Sequence, residues 1–450
     1  MDSLHEKSDS SNALRRELGL RSAAAAVAGE CIAVGIFLTP AGMAHSLGSP
    51  FWLLLVWISI GGMTLLGALC YCELTARFPR AGGPYAYLYE AFGPGVAFLY
   101  GWMSLAVLDP GITAVLATGV CAYFSYIVHL SPLGIKIFSV ALIWAMCLIN
   151  IRSARLSAGF LRWLTWLKFG ILLVIVIWAI VFRLGSWSNF VPFVAQRAGS
   201  LPLLPALGAA TVAAFFSFGG WWDVSKIAGE IRDPVKTLPR ALILGVIAVT
   251  AAYVLISTIF LYLVPLERVS SDETFVAQVG QVLFGQAGGV IFSAIVVLCV
   301  LGSLAVSSMA APRVFFAMAE DGIFLPSVAR LHPRFHTPSR AIAVQGIVAT
   351  ILVALGSFQQ IISYFIFVAV FFLGLSVAGL FVLRRRSSAA PPVSTPGYPF
   401  TPIAFLAMVF ALLVLLALHA PREAALGSVV VLAGAPIYHI FVRPRRRVAV

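Results

Sequence analysis

Charged side chains are scarce along this chain. Only 10% of its 450 residues are Asp, Glu, Lys or Arg, whereas 61% are hydrophobic and the mean hydropathy is +0.99. A water-soluble domain has roughly 25% charged residues, so this composition excludes one. Apolar runs recur from residue 22 to residue 442, and about 20 apolar residues suffice for a helix to cross a bilayer. The sequence therefore predicts an all-α membrane protein.

Other kinds of chemistry are also missing. The chain has six cysteines, and all of them fall in apolar segments, so we expect no disulfide framework. Cysteine and histidine show no metal-ligand spacing, and the metalloprotease motif HExxH is absent. The first 21 residues lack the apolar core of a signal peptide and are interpreted as a cytoplasmic tail. We expect no cofactor, no metal and no enzymatic activity.

Twelve spans fit the apolar pattern. We predict them at 22–47, 50–76, 94–128, 132–151, 158–183, 203–229, 239–265, 286–319, 340–357, 359–383, 400–419 and 424–442. Residues 384–399, rich in arginine and proline, are interpreted as a cytoplasmic linker before the last two spans, 400–442. Residues 443–450 form a second predicted cytoplasmic tail.

The net charge of +13 is an orientation signal. With the amino terminus inside, 24 of the 30 lysines and arginines fall in predicted cytoplasmic segments, among them Lys226 and Arg313. This distribution follows the positive-inside rule and predicts that both termini are cytoplasmic. We therefore expect a lipid bilayer as partner and no nucleic acid.

The stretch Gly29–Pro40 interrupts the first span. Glycine weakens a helix, and proline removes a backbone donor. Freed backbone groups are tolerated in hydrocarbon only where they face protein or a wet cavity. We expect the helix to break at 33–37, and a broken helix at this depth predicts a binding site.

A second interruption is predicted at Gly219 and Gly220, in the sixth span. Residues 22–183 and 203–383 each hold five spans, and each half begins with a glycine-interrupted helix. Because five is odd, the second half must insert upside down. Paired interruptions in two inverted halves are the sequence pattern of a secondary transporter.

Several motifs resemble those of the L-type amino acid transporters and their bacterial relatives, in the amino acid–polyamine–organocation superfamily. The resemblance is carried by residues 33–40 (AVGIFLTP), 67–74 (GALCYCEL), 81–88 (AGGPYAYL), 216–221 (FSFGGW), 231–239 (IRDPVKTLP) and 312–322. It implies a LeuT-type 5+5 inverted repeat with broken helices 1 and 6 and two extra helices. Ala33 and Val34 stand where the family has Gly and Ser, which favours a smaller pocket or a modified ligand.

The resemblance also implies a substrate site and a sodium surrogate. The amides near Ile32, Ala33, Val34, Gly35 and Ile36 would hold a carboxylate, as a half-helix end can without side chains. The carbonyls of Ser217, Phe218 and Gly219 would hold an ammonium group, and Phe216 would be the aromatic gate. Lys168 matches a lysine that replaces bound Na⁺ in sodium-independent relatives. The outer loop 129–136 has no cysteine, so no disulfide-linked heavy chain is expected.

Buried charges have more than one interpretation. Lys168 is either a functional mid-membrane group or a lysine snorkelling to the cytoplasm; we expect it to contact carbonyls of the first break, Ser307 or Ser308, and Glu30. Glu30 is a coupling site or a vestibule carboxylate. Asp109 is a kink residue or a transport group, and Asp223 is a helix cap, a partner of Lys226 or a coupling group.

The leading hypothesis is a sodium-independent secondary transporter of amino acids in the cytoplasmic (inner) membrane, either an antiporter or a proton-coupled symporter. An amine or polyamine carrier of the same fold is the alternative, because three acids lie near the breaks. A transport-inactive sensor or an intramembrane enzyme belongs to a different class. The preferred amino acid, the direction of transport and the oligomeric state are left open by the sequence.

Overall fold

The computed structural model describes residues 14–33, 35–266, 279–355, 358–387, 389–419 and 421–442. Val34 and most of both predicted tails lie outside these ranges. Within the described residues the chain forms helices and no strands; one isolated bridge joins Leu18 to Ile231. The prediction of an all-α fold is confirmed.

In the first half of the chain the described residues form eight α-helices. They are α1 (Leu20–Cys31), α2 (Gly35–Leu47), α3 (Pro50–Arg77), α4 (Pro84–Phe92), α5 (Pro94–Met103), α6 (Asp109–Phe124), α7 (Pro132–Arg152) and α8 (Ala154–Val181). A π-helical turn, Ser104–Leu108, joins α5 to α6. Serine caps begin α7 and α8, where Ser131 Oγ accepts from Gly134 N and Ser153 Oγ accepts from Leu156 N.

In the second half of the chain the described residues form eight further α-helices. They are α9 (Leu203–Phe218), α10 (Pro234–Leu263), α11 (Gly288–Ala310), α12 (Pro312–Glu320), α13 (Ser339–Leu355), α14 (Phe358–Arg386), α15 (Phe400–His419) and α16 (Pro421–Ile437). A 3-10 helix, Trp221–Glu230, follows α9. The helix α14 runs to Arg386, so the first three residues of the predicted linker are helical.

Nine helical segments of the described residues are long and apolar enough to cross a membrane. Two further apolar helices, Ser339–Leu355 and Ala424–Ile440, are shorter than that. The first predicted span is divided into α1 and α2, each about half the length that a bilayer requires. The number twelve stays a prediction.

The centre of the bundle is built around α1 and α10. The helix α10 packs against α1 and α3, while α8 packs against α1 and α11. Trp57, Phe218 and Tyr253 form a buried aromatic cluster between α3, α9 and α10, with T-shaped contacts of 5.0 Å from Tyr253 to Trp57 and 4.9 Å to Phe218. Both helix interruptions therefore lie inside the packed core.

Charged side chains join the helix ends on one side of the bundle. Glu73 Oε1 accepts from Arg77 Nε at 3.0 Å and from Arg384 Nε at 2.9 Å. Glu73 Oε2 accepts from the backbone N and the hydroxyl of Thr395, at 2.9 and 2.8 Å. The linker after α14 is thus anchored on α3.

Candidate functional site

The first interruption lies between Cys31 and Gly35. The helix α1 ends at Cys31, and α2 begins at Gly35. The expected break at 33–37 was therefore too late in the chain, because Gly35 and Ile36 already belong to α2. Ile32 is fully buried, and Ala33 N donates to Cys31 O at 2.8 Å. Val34, a predicted binding residue, lies outside the described residues.

Lys168 closes the carbonyl end of α1. Its Nζ donates to Gly29 O at 2.7 Å, to Ile32 O at 2.6 Å and to Ser303 Oγ at 3.1 Å. The side chain is 1% exposed and lies midway along α8, so the snorkelling interpretation is wrong. An ammonium surrounded by two carbonyls and a hydroxyl satisfies the acceptors that a helix end leaves free.

The sequence did not predict that Ser303 contacts Lys168. We expected Ser307 or Ser308 to contact Lys168, but Ser307 Oγ lies 3.5 Å from Thr113 Oγ1, and Ser308 Oγ, buried, has no partner among the described residues. Ser303 and Ser307 are four residues apart and so share a face of α11. The small-residue run predicted the correct face one turn away from the contact.

Tyr253 joins the two interruptions. Its hydroxyl lies 2.5 Å from Cys31 O and 2.6 Å from Ser217 O, so its proton can be donated to the end of either α1 or α9. The thiol of Cys31 donates to Phe218 O at 3.3 Å. No sequence signal identified Tyr253. Two of the carbonyls that we expected to hold an ammonium group, those of Ser217 and Phe218, already accept from the protein in this structure.

Gly35 and Ser217 bring α2 and α9 together. A Cβ on Gly35 would lie 2.7 Å from Ser217 Oγ and 2.8 Å from Ser217 Cα, so only glycine allows this approach. Thr39 Oγ1 donates to Gly35 O at 2.7 Å and lies 2.8 Å from Ser217 Oγ. The amino-terminal end of α2, where a helix leaves its first backbone amides without intrahelical partners, is therefore adjacent to the carbonyl end of α9.

The second interruption is formed by Gly219 and Gly220. Gly219 is extended, at φ −52° and ψ 149°, and Gly220 has φ +92°, a left-handed conformation that favours glycine. A Cβ on Gly220 would lie 2.1 Å from Glu30 Cγ. Glu30 of the first interruption thus packs directly on the backbone of the second.

A buried ion cluster holds the helix that follows the second interruption. Lys226 Nζ lies 2.6 Å from Asp109 Oδ1 and 3.0 Å from Asp223 Oδ1. The three side chains are between 1% and 3% exposed. Ser104 in the π-helical turn donates to Asp109 Oδ2. Asp109 is thus bonded to the π-helical turn that precedes α6, and it is an ion-pair partner of Lys226 that the sequence did not predict.

Two of the basic residues that were predicted in cytoplasmic segments are buried in the core. Lys226 belongs to the buried cluster, and Arg313 Nε donates to Glu230 Oε1 at 2.7 Å in a pair that is 0% and 2% exposed. The charge count used for orientation therefore contained two structural cations. Their acidic partners balance them in the core, which exposed loop residues do not require.

Glu30 is a third buried carboxyl group at the two interruptions. It is 6% exposed, and its Oε2 has no hydrogen-bond partner among the described residues. Its charge interacts with those of Asp223, Lys168, Lys226 and Asp109. Two ammonium groups and three carboxyl groups therefore share the core around the two interruptions.

Phe216 is half-buried near the end of α9, and its carbonyl accepts from Gly219 N at 3.0 Å. The aromatic residue in contact with Tyr253 and Trp57 is Phe218.

Trp222 is 8% exposed and lines a small cavity together with Tyr71, Tyr100 and Leu108. The described residues include no group of three or more metal-ligating side chains.

Two interrupted helices that meet at buried charges inside an apolar bundle are typical of secondary transporters. Comparison with known proteins agrees, since the family model described as amino acid permease matches residues 18–442. The chain belongs to this family, and thus to the amino acid–polyamine–organocation superfamily. It is a multi-pass membrane protein.

Its relatives include transporters and exchangers of amino acids. The serine/threonine exchanger SteT of Bacillus subtilis is 30% identical over 95% of this chain and 97% of its own length. The cystine/glutamate transporter of Pongo abelii is 28% identical over 95% of this chain and 86% of its own. The b(0,+)-type amino acid transporter 1 of Mus musculus is 28% identical over 98% of this chain and 91% of its own.

Proposed function

We propose that this chain is a sodium-independent secondary transporter that moves amino acids across the cytoplasmic membrane by alternating access. The observation that carries the proposal is the position of Lys168. Its ammonium is bound by Gly29 O, Ile32 O and Ser303 Oγ, the kind of oxygen cage at a helix break that otherwise suits a cation. A resident ammonium leaves no role there for Na⁺.

The proposed architecture is a LeuT-type 5+5 inverted repeat of twelve spans, with both termini cytoplasmic. Residues 22–183 and 203–383 are the two repeats, and 400–442 are the extra helices. The interruption between Cys31 and Gly35 and that at 219–220 support it, because each lies in the first predicted span of its half.

The proposed substrate site lies where α2 meets α9. The free amides at the start of α2, near Gly35 and Ile36, would bind the carboxylate, since the helix dipole adds positive potential there. The carbonyls of Ser217, Phe218 and Gly219 would bind the ammonium group. Those of Ser217 and Phe218 would do so through the lone pair that the protein donor leaves unused. The substrate side chain would lie toward Phe216.

Substrate binding at this site would require a change in the conformation of the protein. Gly35 and Ser217 are too close together for an amino acid to enter between them. A substrate would have to separate α2 from α9 and loosen the Tyr253 hydroxyl from one of its two carbonyls. A ligand shifts a conformational equilibrium only by binding one state better than the other, and these contacts would supply the difference.

The proposal is tested by uptake of labelled amino acids into liposomes. Uptake should persist when choline replaces Na⁺ outside. Lys168→Met should abolish it, whereas Lys136→Met, which removes an exposed lysine bonded to Ala354 O, should leave it unchanged. Uptake that requires Na⁺, or that survives Lys168→Met, would contradict the proposal.

Exchange is the proposed mode of coupling, because SteT is named an exchanger. Uptake should then depend on an internal amino acid. Proton-coupled symport is the second candidate, favoured by the buried Glu30 Oε2, which has no hydrogen-bond partner in the part of the chain that the structure describes. A proton gradient would drive uptake into empty liposomes only in that case, and Glu30→Gln would remove the effect.

An amine or polyamine substrate is the alternative that the buried acids favour. Glu30, Asp109 and Asp223 outnumber the two lysines beside them, so the core could accept an added cation. A thermal-shift screen across amino acids and amines separates the two, because a ligand stabilises the state that it binds. Stabilisation by amines alone would replace the amino acid assignment.

A further inference from the structure

A polar cavity opens where four segments of the chain meet. It is lined by Arg15 and Glu17 before α1, by Arg152 and Ser153 between α7 and α8, by Glu230 after the second interruption, and by residues 334–337 before α13. The guanidinium groups of Arg15, Arg152 and Arg334 belong to exposed residues. None of the three has an ion-pair partner among the described residues.

The charge of the cavity is positive. The carboxylate of Glu230 is paired with the buried Arg313, so its charge is balanced outside the cavity. Glu17 opposes one of the three arginines, so apart from the balanced Glu230 the Asp, Glu, Lys and Arg side chains that line the cavity leave a net charge of about +2. The helix α8 begins at the cavity wall, and the positive end of its dipole adds to this potential. An anion is the ligand that this cavity attracts.

An apolar groove begins at the same place. It is lined by Ser153, Arg155, Leu156, Gly159, Phe160 and Trp163 on the outer face of α8. Leu156 and Trp163 are 57% and 58% exposed, and a Cβ on Gly159 would meet nothing within 4 Å. Ser153 lines both the charged cavity and the groove, so the two are adjacent.

We propose that the cavity and the groove together bind one anionic phospholipid. Arg15, Arg152 and Arg334 hold its phosphate, and an acyl chain lies along α8 over Gly159. The position of the cavity supports this, because Arg152 ends one membrane helix and Ser153 begins the next, which is the depth of the headgroups. Basic pockets between spans on the cytoplasmic side bind acidic headgroups, and a groove of apolar residues is what a chain requires.

Native mass spectrometry of the purified full-length protein with phosphatidylglycerol tests the proposal. The double variant Arg152→Gln/Arg334→Gln should retain the lipid about 25-fold more weakly, since each arginine near an anionic surface contributes about fivefold. The control Arg240→Gln/Arg330→Gln removes two exposed arginines that do not line the cavity and should retain it fully. Phosphatidylcholine should bind neither protein.

The groove is tested separately. Gly159→Trp fills it and should reduce phosphatidylglycerol retention, whereas Gly170→Trp, at the other open glycine of α8, should not. A free anion would give a different result, namely inorganic phosphate competing with the lipid and Gly159→Trp having no effect. That result, or equal retention by the two double-arginine variants, would overturn the phospholipid assignment.

Discussion

The two helix interruptions each hold one buried lysine, but in opposite ways. Lys168 at the first is surrounded by neutral acceptors, two carbonyls and a hydroxyl. Lys226 at the second is held by two carboxylates, those of Asp109 and Asp223. The first ammonium is held by uncharged hydrogen-bond acceptors, while the second balances carboxylates that would otherwise be buried without a cation.

The different surroundings of the two lysines give them different roles. Removing Lys226 would leave two carboxylates without their cation in an apolar core, so its main role is in stability. Removing Lys168 would leave neutral groups, which water or another cation can satisfy. Its loss should therefore affect transport more than folding.

Lys226→Met should give the largest loss of stability. Breaking a buried pair by removing one partner costs about 3–5 kcal/mol in the free energy of unfolding, because the remaining charge is uncompensated. The melting temperature of the protein in detergent measures it. The double variant Lys226→Met/Asp109→Asn should recover part of the loss, and a double variant as unstable as the sum of the two single ones would remove the coupling between them.

Lys168→Met should lower the free energy of unfolding by less, about 1–3 kcal/mol, because it leaves buried hydrogen-bonding groups unsatisfied. Melting temperatures of the two lysine variants, measured side by side, test the order. A loss at Lys168 equal to that at Lys226 would mean that the two ammonium groups have the same structural role.

The emptied cage at the first interruption should also accept a metal cation. NaCl should raise the melting temperature of Lys168→Ala relative to choline chloride at the same ionic strength, because a bound ion stabilises the folded state. The control is Lys136→Ala, at an exposed lysine bonded to Ala354 O, for which Na⁺ and choline should give equal values. No response of Lys168→Ala to Na⁺ would contradict the cage interpretation.

The sequence predicted the helical fold and the positions of both interruptions to within a few residues, because glycine and proline act locally. It predicted Lys168 as a functional group from the cost of a charge at that depth. Contacts between side chains of different helices were predicted less well. Ser303 was assigned one turn away, and Asp109 was not connected to Lys226, since 117 residues separate them and packing alone brings them together. Tyr253 lacked any local signal, because tyrosines are common in apolar helices.

Tyr253→Phe should have a smaller effect on stability. It removes the hydroxyl that joins Cys31 O to Ser217 O while retaining the ring between Trp57 and Phe218. A hydrogen bond contributes about 0.5–1.5 kcal/mol, so the melting temperature should fall by a few degrees at most. Tyr126→Phe, at an exposed tyrosine, is the control. If Tyr253→Phe left both stability and uptake unchanged, the link between the two interruptions would have no functional role.

The smallest effect is expected at the ion pair of Arg80 and Asp321, which is more exposed than the pair of Lys226 and Asp109. Arg80 Nη1 lies 3.0 Å from Asp321 Oδ2, with side chains 34% and 18% exposed, compared with 1% at Lys226 and Asp109. Partly exposed pairs contribute about 0–1 kcal/mol, and 1 M salt reduces the Debye length to about 3 Å. Arg80→Gln should therefore lower the melting temperature slightly in low salt and not at all in 1 M NaCl, whereas the loss in Lys226→Met should persist in both. A salt-insensitive Arg80→Gln, or a Lys226→Met whose loss disappears in salt, would show that burial is not what distinguishes the two pairs.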